Sequence, residues 1–336
     1  MIISLNLPHD SYDITLERGA LRRVGEIMDL DRRVLIVTDS GVPSKYAQTV
    51  SAQCREATIV CIEQGEGSKN LSTFEYLCRE LLQHGFTRKD CVVAVGGGMV
   101  GDLAGFAAAS FMRGIDFYNI PTTVLSQVDS SIGGKVAVDL DGIKNIVGAF
   151  YQPRAVVVDP DVLASLSPRQ IANGLAEAVK MALTFDEPLF ELFEHEDVAK
   201  HMEEIIAHSL RSKQAVVEQD EKESGLRKVL NFGHTMGHAI ESVEGLGGLY
   251  HGECVALGML PLCSDEVRPR LISVLEKLHL PTHWSGDTAA LCAAAAHDKK
   301  ADGNAVTVVT VPRVGEFVME NWTAERLSAR MEEYFS

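Results

Sequence analysis

Short, uninterrupted runs of apolar residues recur along the first half of the chain, between segments of helical or loop-like pattern. These runs span residues 34–37, 58–62, 91–95, 117–120 and 155–158. A strand whose residues are all apolar must be covered on both faces, which is typical of parallel sheets joined by helices. We therefore predict a Rossmann-like, doubly wound α/β fold whose ligands bind beyond the carboxyl ends of the strands.

The segments that flank this alternation have different patterns. Residues 2–7 and 12–16 alternate polar and apolar around Pro8, which predicts a β-hairpin. After about Asp159 the helical period dominates, and the predicted elements are helices over 168–184, 198–219, 229–243, 255–265 and 270–278 and a strand over 305–311. We predict an α/β domain over residues 1–158 and a mostly helical domain over 159–336, with the site in the cleft between them.

A polar stripe in the second half has an unusual composition for a solvated helix face. At spacings of 4, 3, 4 and 3, it consists of Arg227, Asn231, His234, His238 and Glu241. Such spacings would place all five side chains on one side of a single helix. Histidine and asparagine, interleaved with Gly233 and Gly237, indicate a lined cavity with close backbone approach, since a solvated face usually carries Lys and Glu.

Histidine and glutamate residues of the second half could hold a metal ion in two ways. Glu177, His234 and His251 would form a set of two histidines and one carboxylate, which suits Zn²⁺ and leaves positions open for water or substrate. Alternatively, His234 and His238, four residues apart, could be the chelating pair. Spacing alone does not choose between the two sets, and a merely hydrogen-bonded histidine is the alternative to both.

A glycine-rich segment follows the apolar run at 91–95. Residues 96–101, Gly-Gly-Gly-Met-Val-Gly, fit the dinucleotide fingerprint, in which small residues let backbone N–H groups approach a pyrophosphate. A tight turn from strand to helix is the alternative. Asp39, after an earlier strand, could bind ribose hydroxyls or could equally be the N-cap of a helix.

The overall charge limits the partners of the chain. With 31 Lys and Arg against 47 Asp and Glu, the formal charge is −16, which argues against nucleic acid or an anionic membrane surface as the main partner. No continuous apolar stretch of membrane-spanning length and no secretory signal is expected. The seven cysteines form no C-x-x-C pair, which predicts reduced thiols in a cytoplasmic protein.

Cations gathered locally could still bind a phosphate or a carboxylate. The candidates are Arg113, Lys135, Lys144, Lys180, Lys213, Arg227, Lys299 and Lys300. Taken singly, each could equally be an ordinary surface charge. Asp129 precedes the Gly-Gly-Lys segment that ends at Lys135 and would supply a carboxylate near that ammonium.

Taken together, these residues resemble the 3-dehydroquinate synthase family over most of the chain. The most specific matches are the runs 121–131 and 225–241. The resemblance implies an enzyme of the shikimate pathway, a carbon–oxygen lyase that converts 3-deoxy-D-arabino-heptulosonate 7-phosphate into 3-dehydroquinate and phosphate. It also implies a cytoplasmic homodimer with NAD and a divalent metal, usually Zn²⁺ and alternatively Co²⁺, as cofactors.

The same resemblance implies roles for individual residues. It assigns the metal to Glu177, His234 and His251. The catalytic residues that it implies are Asp129, Lys135, Lys180, Lys213, Arg227, Asn231 and His238, the last as a proton-handling neighbour of the metal. Further substrate contacts are Arg113, which reaches phosphate across the dimer interface, Lys144, Asn145, Lys299 and Lys300. The cofactor side comprises Asp39, Glu66, Lys69, Gly97, Gly98, Asp102, Thr122, Thr123, Lys135 and Lys144.

This chain departs from the family pattern at a few positions without losing a group of evident chemical role. Asp139 replaces a common Asn, Ile143 a common Gly and Ser165 a usual Thr, and residues 39–41 differ from a more usual Asp-x-Asn. Three other activities remain as alternatives: another sugar phosphate cyclase that makes a valiolone or an inosose, a metal-dependent polyol dehydrogenase, and a non-catalytic NAD- or metal-binding protein. Arg227, Asn231 and Lys213 favour dehydroquinate synthase over another cyclase, and the retained metal ligands and Lys135 argue against a non-catalytic protein.

Overall fold

The computed structural model describes residues 1–245, 247–297 and 305–335. The chain divides into two compact units, Met1–Ser167 and Pro168–Ser336. The division comes later than the predicted boundary after residue 158, because Asp159 and the 3₁₀ helix that follows it belong to the first unit. The carboxylate of Asp159 accepts hydrogen bonds from the backbone N–H groups of Gly19 and Leu21, and Val162 is buried in the first unit's core.

The first unit is built on a seven-stranded sheet and a separate two-stranded ribbon, and the described residues of the second unit include one further two-stranded sheet. The strands are β1 (Ile2–Leu5), β2 (Tyr12–Leu16), β3 (Arg33–Asp39), β4 (Glu56–Ile62), β5 (Cys91–Gly96), β6 (Asp116–Pro121), β7 (Lys135–Leu140), β8 (Ile143–Phe150), β9 (Ala155–Val158), β10 (Ala305–Arg313) and β11 (Glu316–Thr323). The large sheet has the order β1-β2-β9-β6-β5-β3-β4. Its pairs are parallel except the hairpin β1–β2, so both the predicted hairpin and the predicted parallel sheet are confirmed.

Strand β5 shows why the apolar runs form the centre of this sheet. All six of its residues are buried. Val93 and Val95 belong to the hydrophobic cluster on one side of the sheet, whereas Val92 and Ala94 belong to the cluster on the other side. Burying a valine side chain stabilises the fold by roughly 1.5–3 kcal/mol. A strand buried on both faces therefore buries about twice as many side chains as a strand with one face in water.

Helices cover the large sheet and make up most of the second unit. They are α1 (Val24–Ile27), α2 (Ser44–Ser51), α3 (Leu71–Gln83), α4 (Gly98–Ser110), α5 (Pro168–Phe185), α6 (Glu187–His195), α7 (Met202–Gln219), α8 (His234–Glu244), α9 (His251–Met259), α10 (Val267–Lys277), α11 (Thr288–His297) and α12 (Ala324–Phe335). Within the described part of the chain, no helix is both long enough and apolar enough to cross a bilayer. All seven cysteines are free thiols.

The predicted helix over 229–243 begins only at His234, so the placement of the polar stripe on one helix face is wrong. A 3₁₀ helix (Leu226–Asn231) precedes α8, and the two are separated at Gly233, whose φ is +78°. A Cβ at Gly233 would lie 2.5 Å from Cγ of Met259 and 2.9 Å from the carbonyl oxygen of Val255. The close approach of α9 therefore requires glycine at this position, and the left-handed backbone ends any continuous helix there.

The ribbon β7–β8 is absent from the predicted elements. Its strands are antiparallel, with an irregularity in register between Val138 and Leu140. Seven of the eight residues of β8 are exposed, and Val147 is half-buried. The segment lacks the buried face that makes a strand recognisable in a sequence.

Candidate active site

The glycine-rich turn lies between a strand and a helix, as its pattern predicts. Strand β5 ends at Gly96, and α4 begins at Gly98. A Cβ at Gly98 would lie 2.8 Å from Oγ of Ser130, and one at Gly97 would lie 3.1 Å from Cγ2 of Thr123. Packing alone therefore favours glycine here, and the backbone N–H groups of the first turn of α4 remain a suitable cradle for a phosphate.

The threonines predicted for the cofactor side border this turn. Thr122 follows the end of β6, and its N–H donates to the carbonyl oxygen of Gly96 at 2.9 Å. Thr123 accepts a hydrogen bond from the backbone N–H of Ser126 at 3.2 Å. The structure thus brings Thr122 and Thr123 together with Gly97 at the carboxyl ends of two neighbouring parallel strands.

Lys69 is the buried centre of a polar cluster, which we call the Lys69 cluster (Glu66, Lys69, Asp102, Asp139 and Asn145). The side chain of Lys69 is 5% exposed, and its Nζ lies 2.5 Å from Oδ2 of Asp102 and 3.6 Å from Oε1 of Glu66. Nζ also donates to Oδ1 of Asn145 at 2.5 Å. Burial opposes the charge on Lys69, but the carboxylates of Asp102 and Glu66 outweigh it and raise the pKa of the amine.

Asp139 anchors this cluster, a role that the sequence analysis missed. Its Oδ1 accepts the backbone N–H of Asn145 at 2.7 Å, and its own N–H donates to the carbonyl oxygen of Lys69 at 2.9 Å. Asn145 is held at a φ of 55°, which is uncommon for a residue with a side chain. The only signal in the sequence was the departure from a common Asn at position 139.

Asp39 lies at the end of β3, and it does not cap a helix. Its Oδ1 accepts the N–H of Gly41 at 2.8 Å, whereas α2 begins at Ser44 with Pro43 before it. The N-cap alternative is therefore wrong. Burial raises the pKa of the Asp39 carboxyl.

The remaining candidates of the first unit lie in turns and on the β7–β8 ribbon. Arg113 is exposed at the end of a 3₁₀ turn, with a φ of 67°. Lys135 begins β7 and Lys144 lies in β8, and both are exposed. Asp129 is half-buried in the π-helical turn Ser126–Ser130, a geometry that is frequent at functional sites.

In the second unit, Glu177 meets two histidines from distant parts of the chain. Glu177 is 1% exposed on α5, and its Oε1 lies 3.3 Å from Nε2 of His234 and 3.2 Å from Nε2 of His251. Two donors bound to a tetrahedral Zn²⁺ at about 2.0–2.1 Å would be roughly 3.3 Å apart. The donor set and its spacing therefore fit such an ion.

His238 lies beside the same three residues. One ring nitrogen from each of His234, His238 and His251 falls within 4.8 Å of the others. The two ligand sets that the sequence left open thus converge at one place, which we call the His–Glu cluster (Glu177, His234, His238 and His251).

Charged neighbours control the ionisation of the His–Glu cluster. Burial opposes the charge on Glu177, but Lys180, with Nζ 2.5 Å from Oε2, and His234 lower the pKa of Glu177 well below its usual range. Burial likewise opposes the charge on His251, yet the carboxylates of Glu177 and Glu241 raise its pKa to about 9. The carboxylates that favour a proton on His251 would equally favour a metal cation in its place.

A tight turn before the 3₁₀ helix positions the buried Arg227, which is 2% exposed. The carboxylate of Asp220 accepts the backbone N–H groups of Ser224, Gly225 and Arg227 at 2.7–2.9 Å. The guanidinium of Arg227 donates to the carbonyl oxygen of Glu221. Sequence reasoning missed Asp220, although an aspartate ahead of a Ser-Gly pair is a recognised turn signal.

The other predicted residues of the second unit differ in their burial. Lys180 and Lys213 are buried on α5 and α7, with 1% and 6% exposure. Asn231 is exposed, and its Nδ2 donates to Oε1 of Glu223 at 2.8 Å. Lys299 and Lys300 lie outside the described residues.

Comparison with known proteins identifies the family. Residues 59–173 match the 3-dehydroquinate synthase N-terminal family, and residues 174–301 match the 3-dehydroquinate synthase C-terminal family. A 3-dehydroquinate synthase of Enterococcus faecalis is 40% identical over 98% of each protein. The chain belongs to the 3-dehydroquinate synthase family.

Membership of the 3-dehydroquinate synthase family confirms the predicted family and the predicted carbon–oxygen lyase activity. A 2-deoxy-scyllo-inosose synthase, solved with carbaglucose-6-phosphate, NAD⁺ and Co²⁺, has a TM-score of 0.90 at 26% identity and covers 100% of both chains. The 2-epi-5-epi-valiolone synthase of Streptomyces hygroscopicus, solved with NAD⁺ and Zn²⁺, has a TM-score of 0.88 at 27% identity over 98% of each chain. Both confirm the predicted fold class, and their lower identity favours dehydroquinate synthase over these two alternatives.

Proposed function

We propose that this chain converts 3-deoxy-D-arabino-heptulosonate 7-phosphate into 3-dehydroquinate and phosphate, with NAD and a divalent metal, Zn²⁺ or Co²⁺, as cofactors. The observation that carries the proposal is the His–Glu cluster, in which Glu177 lies 3.3 Å and 3.2 Å from the two histidines in a chain of this family. The solved structures with NAD⁺ and Co²⁺ or Zn²⁺ support the same cofactors here.

The second unit would hold the metal through Glu177, His234 and His251. When bound, the metal would supply a Lewis acid for the C4 and C5 oxygens of the substrate, and NAD would supply an acceptor and later a donor of hydride at C5. Glu241, whose Oε2 lies 3.5 Å from Nδ1 of His251, would orient that imidazole. His238 would hold or transfer a proton beside it.

The first unit would bind NAD at the carboxyl ends of its strands. Gly97 and Gly98 would let backbone N–H groups approach the pyrophosphate, and Asp39 would accept hydrogen bonds from ribose hydroxyls. The residues proposed for the rest of this surface are Glu66, Lys69, Asp102, Thr122, Thr123, Lys135 and Lys144. Because the Lys69 cluster is hydrogen-bonded internally, it offers the cofactor a surface that is already ordered.

The residues proposed for the substrate comprise proton-handling groups and anion-binding groups. Lys135 and Asp129 would orient the C5 hydroxyl and move its proton, which is general acid–base work worth about 10²–10⁴-fold. The residues proposed to hold the phosphate and carboxylate are Arg113, Lys144, Asn145, Lys180, Lys213, Arg227, Asn231 and Lys299 or Lys300. The phosphate itself would accept the C6 proton as it leaves, so positioning would account for much of the rate.

A homodimer is supported by the apolar surface of the β7–β8 ribbon. Ile143 and Ile146 are each 58% exposed and Phe150 is 44% exposed on β8. Among the described strands, β8 pairs only with β7. Exposed apolar side chains on an unpaired strand edge favour self-association, and Arg113 would then reach the partner's phosphate site. The free cysteines support a cytoplasmic location.

One assay tests the activity. Purified enzyme is given 3-deoxy-D-arabino-heptulosonate 7-phosphate, substoichiometric NAD and Zn²⁺, and phosphate and NADH are measured together. We expect many equivalents of phosphate per NAD and no accumulating NADH, because the hydride returns to the product. A polyol dehydrogenase would instead release NADH in proportion to product, and a different cyclase would leave this substrate intact.

A further inference from the structure

Three residues on one face of α5 contact three consecutive residues in the first turn of α9. Arg169, Asn173 and Glu177 are spaced by four, which aligns them along one side of the helix. They contact Glu253, Gly252 and His251, in that order. The proposed ligand Glu177 is thus the last of three contacts that run in register along the two helices.

The contacts made by Arg169 and Asn173 are short and directional. Nε and Nη2 of Arg169 each donate to the carboxylate of Glu253 at 2.7 Å, a bidentate ion pair. Oδ1 of Asn173 accepts the backbone N–H of Gly252 at 2.6 Å. That N–H belongs to the first turn of α9 and has no partner within the helix, so Asn173 supplies the one that it needs.

The packing leaves little freedom around His251. A Cβ at Gly252 would overlap the carbonyl oxygen of Asn173, so the two backbones are close together. On the other side of His251, Oε2 of Glu253 accepts the N–H of Tyr250 at 2.7 Å, and the guanidinium of Arg169 lies 4.0 Å from the centre of the Tyr250 ring. Both chain neighbours of His251 are therefore held to α5.

We propose that Arg169 and Asn173 are positioning residues. They hold His251 where its Nε2 and Oε1 of Glu177 can bind the same metal ion. The inference rests on the proposed metal-binding function. His251 is the first residue of α9, where helices fray, while a metal site tolerates ligand displacements of only about 0.2 Å. Neither Arg169 nor Asn173 would touch the ion, because each acts through the backbone or side chain next to His251.

The test measures metal binding by the whole protein without turnover. Metal-free wild type, Asn173→Ala and Arg169→Ala are titrated with Zn²⁺ against a chromophoric chelator, and with Co²⁺ while the visible absorption is recorded. We expect both variants to bind Zn²⁺ about 10–100-fold more weakly and to show an altered Co²⁺ spectrum, as for the loss of supports that orient ligands. Arg169→Lys, which retains one charged hydrogen bond, should recover part of the affinity.

Arg270→Ala is the matched control. Arg270 makes the same kind of bidentate pair with Glu194, at 2.8 and 2.7 Å, in the same unit but with no residue of the His–Glu cluster. The Arg270→Ala variant should bind Zn²⁺ with the affinity of the wild type.

Equal Zn²⁺ affinity and identical Co²⁺ spectra in wild type, Asn173→Ala and Arg169→Ala would overturn this inference but leave the proposed metal site standing. Failure of the wild type to bind either ion would overturn the proposed metal site, and this inference with it. If Asn173→Ala does not fold, Arg169→Ala decides the question, since the Arg169 side chain is 49% exposed.

Discussion

Nζ of Lys180 lies 2.5 Å from Oε2 of Glu177, one turn away on α5, and both side chains are only 1% exposed. Removing one partner of such a pair leaves the other charge buried without compensation, which costs about 3–5 kcal/mol. Because the imidazole of His251 still faces Glu177, we expect Lys180→Met to lower the free energy of unfolding of the metal-free protein by at most that amount. With Zn²⁺ bound, the loss should be smaller, because the cation then faces the same carboxylate. Denaturant unfolding with and without Zn²⁺ measures both values.

Lys200→Met provides the control for that comparison. Nζ of Lys200 lies 3.1 Å from Oδ2 of Asp197, also at a spacing of three, but the two side chains are 78% and 54% exposed. Water already solvates both charges, so we expect no measurable change. An equal loss in Lys180→Met and Lys200→Met would contradict the explanation by burial.

The Lys69 cluster predicts a selective effect on NAD. Lys69→Met removes the ammonium that joins Asp102, Glu66 and Asn145, and both carboxylates lose this cation. We expect the Kd for NAD to rise by at least tenfold and the Kd for Zn²⁺ to stay unchanged, as measured by calorimetry. A parallel rise in both constants would indicate general loss of structure. Arg79→Ala, which removes an exposed pair with Glu75 on α3, should leave both constants unchanged.

Two glycines with the same backbone conformation predict unequal costs for the same substitution. Gly233 and Gly19 are both left-handed, with φ of 78° and ψ of −22° and 2° respectively. A Cβ at Gly233 would lie 2.5 Å from Met259, whereas one at Gly19 would meet nothing within 4 Å. We expect Gly19→Ala to cost about 1–2 kcal/mol for the left-handed backbone alone, and Gly233→Ala about 1–3 kcal/mol more. Thermal and denaturant unfolding would compare the two, and similar losses would disprove the close packing at Gly233.

The large sheet was predictable because its cause is local in the sequence. A strand such as β5, buried on both faces, must be apolar throughout, and an apolar run is visible in the sequence itself. The β7–β8 ribbon was not predictable, because β8 is exposed along nearly its whole length and has no periodic burial to record. The break at Gly233 was missed for another reason: Met259, whose side chain enforces it, lies far along the chain.

The candidate site, like the fold, was predictable from the sequence only in part. The spacing of residues indicated His234 and His238 as metal ligands as readily as Glu177, His234 and His251. Only the resemblance to a known family favoured the second set. Asp139 and Asp220 stabilise the site by accepting hydrogen bonds from backbone N–H groups, which come close to the carboxylates only after folding. Residue types identify candidate ligands, whereas residues that hold other residues in place become visible from contacts alone.

Asp220 predicts a component of acid lability. Burial opposes its ionisation, but the N–H groups of Arg227, Gly225 and Ser224 outweigh burial and hold the pKa of Asp220 well below its usual range. Since the folded pKa lies below the unfolded value of about 3.9, the ionised group stabilises the fold above that pH, and the contribution is lost as pH falls.

Asp220→Asn should therefore cost about 1.5–3 kcal/mol at pH 7, the worth of hydrogen bonds to a charged group. The difference in unfolding free energy between wild type and variant should narrow as the pH falls from about 5 towards 3. Urea unfolding at several pH values measures that difference. A difference that is constant with pH would mean that the charge of Asp220 contributes nothing.

The exposed ribbon predicts how the oligomeric state responds to charge. Ile146→Lys places an ammonium in the proposed dimer surface, where an unpaired charge would have to be buried, so we expect sedimentation to show a shift from dimer to monomer. Ile59→Lys is the control, because Ile59 is also exposed, at 41%, but lies on β4. A wild type that sediments as a monomer, or an Ile146→Lys variant that stays dimeric, would contradict the proposed surface.

The residues proposed for NAD all belong to the first compact unit, and those proposed for the metal all belong to the second. Either ligand can therefore be removed by substitution without touching the residues that bind the other. Any influence of Zn²⁺ on the affinity for NAD is then a coupling free energy between two sets of residues that share no member. By linkage, NAD must change the affinity for Zn²⁺ by the same factor, so two titrations in opposite order give independent measurements of one quantity.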